Sequence, residues 1–277
     1  MKFKDTIEIL RPINCVMGSL TVIIGILNII LGVLTYFFLA GSGMVINDIY
    51  DIEIDKINRP ERPIPRGSIT IKQARIIFLA SFLIGIIISI IHSIILQLGF
   101  LNIIIAALFG FIGWVYAKWG KKQGFFGNII VSVSFSVGLI YGAILNSALV
   151  VPYIYFFFLT AFFLLLSREI IKGCEDIEGD NQFGIKTLAI QIGIKKTTTA
   201  SIIADICAII FFILPIFTPI TNPIFFLISM IFGLVIVIYA TTLSFKRNLE
   251  RKDFKKISLF LKIGALLGLI AFIFASI

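Results

Sequence analysis

Four oxygen-bearing side chains fall within one short stretch, Asn47-Asp48-x-x-Asp51-x-x-x-Asp55, which follows an uncharged run from Leu31 to Ile46. At about 100° per helical residue, Asp51 lies about 40° from Asn47, Asp55 about 80° and Asp48 about 100°, whereas Glu53 lies near 240°. Asn47 and three aspartates therefore share one helix face, and Glu53 points elsewhere. Carboxylates about 6 Å apart repel by roughly 2–3 kcal/mol per pair at an effective dielectric near 20. Such a face tends to take up protons or to recruit a cation. Hard oxygen donors at a helix end suit Mg2+, which is commonly held by one or two carboxylates together with substrate phosphates.

A second acidic set lies in SREIIKGCEDIEGD, Ser167 to Asp180. Arg168, Lys172, Asp176 and Asp180 recur every four residues and form one stripe if the helix continues through Gly173 and Gly179. With Arg59, Arg62, Arg66, Lys121, Lys122, Lys172 and Lys186 as surrounding cations, the two acidic sets could enclose a polyanion. Metals would bridge acids and phosphates, and the cations would neutralise departing charge. A single acidic helix end often marks only the membrane boundary, where its ion pairs are solvated. Two one-sided sets on the same membrane face argue for a site, because acids in a membrane are costly and usually functional.

The elements that must carry these residues are membrane helices. The chain has 277 residues, of which 59% are hydrophobic and 14% charged, against about 25% charged in soluble domains. Apolar segments of about 20 residues, enough to cross a bilayer, are read at 10–28, 31–55, 71–91, 94–115, 125–146, 152–173, 197–217, 222–245 and 257–276. The 24 Lys and Arg occupy five places: Lys2 to Arg11, Lys56 to Arg75, Lys118 to Lys122, Arg168 to Lys196, and Lys246 to Lys262. Nine spans put all of them on one face, which the positive-inside rule makes cytoplasmic. The N-terminus is then cytoplasmic and the C-terminus outside. The net charge of +9 thus reads as topology, and nucleic-acid binding is not expected.

The expected architecture is a single all-α transmembrane domain over 1–277, with nine helices in one bundle and the polar cytoplasmic loops facing the site. The loops after the second and sixth spans are each acidic first and basic later, which hints at two related halves but falls short of a sequence repeat. The opening MKFKDTIEILRP reads as a retained helix, not a signal peptide. Cys15, Cys174 and Cys207 show no pairing pattern and read as apolar packing.

Other polar residues have two readings each. Arg11 and Asn14 share a face of the first span; Arg11 is either a snorkelling anchor or a contact to a substrate phosphate. Asp205, two turns into the seventh span, is an intramembrane acid and so a functional candidate whose partner the sequence does not reveal. The lone histidine, His92, falls at the outer boundary. Gly41 and Gly43 point to close helix packing.

These motifs resemble the UbiA superfamily of intramembrane prenyltransferases: Asn47-Asp48-x-x-Asp51-x-x-x-Asp55 looks like its first aspartate-rich motif and Asp176-x-x-x-Asp180 like its second. A Tyr116…Lys121 element precedes Gly127-Asn128, with tyrosine and lysine five apart where the superfamily commonly spaces them by four. The resemblance spans essentially the whole chain. Within the superfamily, Glu8-x-x-Arg11-Pro12-x-Asn14 and Arg168-Glu169-Ile170-Ile171-Lys172-Gly173-x-Glu175-Asp176 are most similar to archaeal digeranylgeranylglyceryl phosphate synthases. That resemblance implies Mg2+-dependent transfer of a geranylgeranyl group from its diphosphate to the hydroxyl of geranylgeranylglyceryl phosphate, an ether-forming step of archaeal lipid synthesis.

The same resemblance implies catalytic roles for Asp51, Asp55, Asp176 and Asp180, and Mg2+ ligation by Asn47, Asp51, Asp176 and Asp180, with Asp48 and Asp55 in supporting or second-metal roles. Arg11, Asn14, Arg62, Arg66, Tyr116, Lys121, Lys122, Arg168 and Lys172 would contact substrate. The expected partners are an isoprenyl diphosphate, a lipid-phosphate acceptor and membrane lipids, and the expected location is the cell membrane with the site facing the cytoplasm. An aromatic acceptor, as in quinone synthesis, is the alternative. A cation-coupled transporter would place its carboxylates nearer mid-membrane. The dense Asp-Gly…Ala-Arg…Gly…Asp signature of CDP-alcohol phosphotransferases is absent. No feature fixes the oligomeric state.

Overall fold

The structure, a computed structural model, describes residues 3–16, 19, 30–95, 99–146 and 150–276; the side chains of 3, 4, 121 and 144–146 are not described. It divides into two compact units, residues 1–121 and 122–277.

The first unit holds α1 (Phe3–Leu10), α2 (Ile30–Tyr50), α3 (Ile52–Asn58), α4 (Ile71–Ile95) and α5 (Gly99–Lys118). Helix α2 packs on α1, α4 and α5. Between α2 and α5, Tyr36 meets Phe109 edge-on with ring centroids 6.0 Å apart. A Cβ on Gly113 would lie 3.5 Å from the Gly43 Cα, so α2 and α5 cross closely there, as small residues permit in membranes. At the loop end, Ile9, Val45, Ile64, Ile69 and Ala74 form a small core. There the loop's unfolded alternative is water, and burying each isoleucine contributes about 2 kcal/mol. This core ties the Pro-rich loop of residues 59–70 to α1, α2 and α4.

The second unit holds a 3-10 turn at Gly120–Gln123 that reaches it from the first unit, then α6 (Phe125–Asn146), α7 (Pro152–Glu175), α8 (Ile177–Gln182), α9 (Leu188–Ile192) and α10 (Ile194–Ile213). A 3-10 turn (Leu214–Phe217), α11 (Pro223–Leu243) and α12 (Arg251–Ser276) follow. Helix α7 is central and packs on α6, α10 and α12, while α11 packs on α12. Phe157 of α7 stacks on Phe272 of α12 at 3.9 Å, and both are fully enclosed.

Eight described helices are long and apolar enough to cross a membrane, and they correspond to the predicted spans two to nine. The chain is a multi-pass, all-helical membrane protein. Large apolar side chains such as Leu83, Ile87, Leu108 and Phe111 remain exposed, as helices facing lipid require. The first predicted span, 10–28, falls mostly outside the described residues, of which 12–16 and 19 are helical.

Three boundaries need correction: the fourth span was expected to start at 94, but α4 runs on to Ile95 and α5 begins at Gly99. The second span was expected to run straight to residue 55, but α2 ends at Tyr50 and a separate short helix follows. The last helix begins at Arg251, six residues earlier than the expected 257. Its charged first turn is stabilised because Asp253 accepts the Glu250 backbone N–H at 2.9 Å and pairs with Lys246 at 2.9 Å, the returning half of a capping box. All three cysteines are free.

Candidate active site

The first acidic set sits where α2 gives way to α3. Asp51 occupies the junction at φ −91°, ψ 1°, the sparsely allowed bridge region that many site residues adopt. The helix is interrupted at Asp51, but two bonds tie this residue to the turns on either side: Asp51 N–H donates to the Asn47 carbonyl at 2.9 Å, and Asp55 N–H to the Asp51 carbonyl at 2.8 Å. The acidic face therefore stays intact while the axis turns. Asp48, Asp51 and Asp55 are at most 3% exposed, whereas Glu53 lies outside and pairs with Lys56 at 2.8 Å. The helical-wheel division holds.

Two arginines neutralise this face. Arg11 pairs with Asp48 Oδ1, and Arg62 bridges Asp48 Oδ1 at 3.1 Å and Asp55 Oδ2. Arg11 is the sole described non-glycine residue with positive φ, at 48°, a conformation that costs an L-residue roughly 1–2 kcal/mol. Arg62 hangs from a loop stiffened by Pro60, Pro63 and Pro65, whose rings fix φ, and anchored by buried Ile64 and Ile69. Asn47 donates from Nδ2 to Asp51 Oδ2 at 2.7 Å. Its own Oδ1 is buried with no hydrogen-bond partner. An orphaned amide oxygen beside a buried carboxylate fits a hard divalent cation, which takes oxygen ligands of both kinds.

Arg66 turns elsewhere. It donates to Asp5 at 2.5 Å and to Glu8 at 2.7 Å, binding α1 to the loop, and these bonds, Glu8's foremost, hold its guanidinium above its ordinary pKa. Asn14 is half-buried, its N–H on the Arg11 carbonyl at 2.8 Å. Tyr116 is half-buried in the last turn of α5.

The second set repeats the first locally. Asp176 stands between α7 and α8 at φ −98°, ψ 8°, within 10° of the Asp51 dihedrals. Its N–H donates to the Lys172 carbonyl at 2.9 Å, and Asp180 N–H donates to the Asp176 carbonyl at 3.1 Å. The expected stripe thus bends at Asp176, while Gly173 and Gly179 remain inside helices. Asp180 and Glu175 are buried and Asp176 is half-buried.

Here the organising carboxylate is Glu169, which the sequence reading did not single out. Its Oε1 accepts Arg168 at 3.0 Å, and Lys172 donates to both of its oxygens at 3.0–3.1 Å. The i, i+3 spacing of Glu169 and Lys172 was the available signal. Lys122 is exposed on the 3-10 turn, and the Lys121 side chain lies outside the described residues. Gly124 follows at φ 59°; a Cβ there would lie 2.0 Å from the Lys186 carbonyl oxygen. Only glycine lets this turn approach the 183–187 loop so closely.

Within the first unit the structure gathers Arg11, Asn47, Asp48, Asp51, Asp55 and Arg62. Within the second it gathers Arg168 and Lys172 around Glu169, with Asp176 and Asp180 on the turns that follow. Among the described residues, no three His, Cys, Asp or Glu side chains are arranged to hold a metal ion by themselves. A bound ion would therefore need ligands besides these carboxylates, such as the Asn47 amide or phosphate oxygens.

A family model described as the UbiA prenyltransferase family matches residues 16–273. The digeranylgeranylglyceryl phosphate synthase of Saccharolobus solfataricus is 37% identical over 246 residues, covering 86% of this chain and 81% of the relative. A solved structure reported as "Structural and mechanistic insights into the biosynthesis of Digeranylgeranylglyceryl phosphate synthase in membranes" superposes with TM-score 0.69 and 31% identity over 99% of this chain and 98% of the other. A UbiA homologue from Archaeoglobus fulgidus bound to GPP and Mg2+ has TM-score 0.65 at 16% identity, over 97% and 99% of the two chains, a likeness of fold.

Proposed function

The chain belongs to the UbiA prenyltransferase family, and we propose that it transfers a geranylgeranyl group from geranylgeranyl diphosphate to the hydroxyl of geranylgeranylglyceryl phosphate. The identity to digeranylgeranylglyceryl phosphate synthases over most of the chain supports this substrate pair. The observation that carries the chemistry is the pair of matched helix junctions, at Asp51 and at Asp176, each followed one turn later by a buried aspartate.

We assign Mg2+ ligation to Asn47, Asp51, Asp176 and Asp180. Asp48 and Asp55 support that set through Arg11 and Arg62. When bound, Mg2+ would offset the charge of the departing diphosphate. Tyr116, Lys121, Lys122, Arg168 and Lys172 are assigned to hold that diphosphate and Arg11, Asn14 and Arg62 to contact substrate phosphate, while Arg66, expected to do the same, is engaged by Asp5 and Glu8. In the transfer, the allylic C1–O bond to diphosphate breaks, C1 takes on cationic character, and the acceptor hydroxyl oxygen forms the new C1–O bond. The acceptor proton passes to an active-site carboxylate, a role we assign to Asp55. We read the whole chain as one transmembrane catalytic domain of nine spans, with its N-terminus and site on the cytoplasmic face of the cell membrane. The restriction of Lys and Arg to one set of loops supports that orientation.

The test is purified protein with labelled geranylgeranyl diphosphate, with Mg2+ or EDTA, offered geranylgeranylglyceryl phosphate or 4-hydroxybenzoate. Mg2+-dependent product with the lipid phosphate alone is expected. Product only with the aromatic acid would overturn the acceptor, and product unaffected by EDTA would overturn the metal.

A further inference from the structure

Asp205 lies in α10 and is fully buried. Three membrane helices supply hydroxyl groups around it: Ser167 from α7, Ser201 from α10 and Thr241 from α11. The Ser167 and Ser201 Oγ atoms are 2.8 Å apart. Thr241 Oγ1 is 3.0 Å from Asp205 Oδ2 and 2.9 Å from the Val237 carbonyl oxygen. Ser167 also hydrogen-bonds the carboxyl and so joins it to α7. Oδ1 nevertheless stays buried with no hydrogen-bond partner, and no cation among the described residues acts on the group.

Proton counting decides its state. Thr241 has one hydroxyl proton and two acceptors at hydrogen-bond distance. A hydroxyl inside a helix readily back-bonds to the carbonyl four residues earlier, which commits the Thr241 proton to Val237. The contact with Asp205 then takes its proton from the carboxyl. An ionised carboxylate would instead leave a charged Oδ1 with no donor in an apolar interior, where such a group neutralises. Nor do the 2.8–3.0 Å oxygen separations suit a trapped cation, since they are hydrogen-bond lengths.

We propose that Asp205 is held as a neutral carboxylic acid that donates from Oδ2 to Thr241 Oγ1, and that it is a positioning residue fixing the register of α7 against α10 and α11. Between apolar helices in lipid, a directional polar contact selects one rotation and offset among packings of similar quality. Ser167 immediately precedes Arg168 and stands nine residues, about 14 Å of helix, before Asp176. The register of α7 therefore sets where Arg168, Lys172 and Asp176 stand. The kinetic part of this inference rests on the proposed diphosphate chemistry; the protonation part does not.

The test uses the full chain in lipid nanodiscs. Infrared difference spectra of wild type minus Asp205→Asn, in H2O and D2O, should show a protonated-carboxyl C=O band that shifts on deuteration. Thr241→Val should move that band. Asp205→Asn, which donates from its amide, should keep kcat within about twofold, whereas Asp205→Leu should lose at least about tenfold in kcat with little change in unfolding temperature. A carboxylate band in place of the acid band would overturn the proposal. So would an Asp205→Asn loss equal to that of Asp205→Leu, or an Asp205→Leu or Thr241→Val variant that lowers only the unfolding temperature. Should wild type transfer no prenyl group, the functional reading fails while the infrared result still decides the protonation.

Discussion

The two acidic junctions share a backbone and differ in how their charge is managed. Asp51 and Asp176 hold nearly the same dihedrals, and each is followed by a buried aspartate one turn on. At the first junction the cations are distant in sequence: Arg11 lies 37 residues before Asp48 and Arg62 14 residues after it. At the second, Arg168 and Lys172 lie on the same helix as Glu169, one and three residues away. The first is therefore a tertiary lock that depends on α1 and on the Pro-rich loop. The second is assembled by one helix and forms whenever α7 forms.

The largest effects should test what the junctions share. Asp51→Ala and Asp180→Ala should each cut turnover by at least about 10²-fold at saturating Mg2+, on the scale of losing one preorganised charge-stabilising group. Near-normal turnover in either variant, measured by labelled product, would break the equivalence of the two sets.

The next effects should separate them. Arg62→Ala leaves Asp48 and Asp55 without a shared guanidinium, and unpairing a buried charge costs about 3–5 kcal/mol. Denaturant unfolding in detergent should show that loss. Arg62→Lys should recover little, because a point charge cannot fork between two carboxylates. Glu169→Gln should cost less than Arg62→Ala, since the amide oxygen still accepts from Arg168 or Lys172 in these part-buried pairs. It should raise the KM for geranylgeranyl diphosphate about tenfold through misplaced cations, the size of effect typical of groups that orient ligands. If Glu169→Gln destabilises as much as Arg62→Ala, the distinction between a tertiary lock and a local one fails.

A smaller and purely structural effect belongs to Gly124→Ala. Its Cβ would collide with the Lys186 carbonyl, and the positive φ adds strain, for a loss of about 1–3 kcal/mol in unfolding free energy. The smallest is Glu53→Ala, whose exposed pair with Lys56 contributes less than about 0.5 kcal/mol and whose turnover should match wild type.

What the sequence made legible follows from periodicity. The division of Asp48, Asp51 and Asp55 from Glu53 needed only 3.6 residues per turn, and the structure keeps it because Asp51 is bonded to the turn before it and the turn after it. The bend itself was not legible, since it turns on the ψ of the single residue Asp51, which hydrophobic periodicity does not mark. Gly173 and Gly179 looked like the weak points of the second stripe, yet the turn falls at Asp176. The partnership of Arg11 with Asp48 was hidden by its separation in sequence, so Arg11 read as an anchor or a phosphate contact. Glu169 was hidden by proximity: between Arg168 and Lys172 it looked like one more boundary charge. Asp205 stood out as an acid in a membrane helix, but Ser167 and Thr241 come from other helices.

The central proposal is that each junction contributes to Mg2+-dependent diphosphate binding, and equilibrium binding tests it most directly. A non-reactive geranylgeranyl diphosphate analogue should bind the wild-type protein with an affinity that rises with Mg2+ concentration. That Mg2+ dependence should vanish in Asp51→Ala and in Asp180→Ala alike. Retention of wild-type Mg2+-stimulated binding by either variant would contradict it.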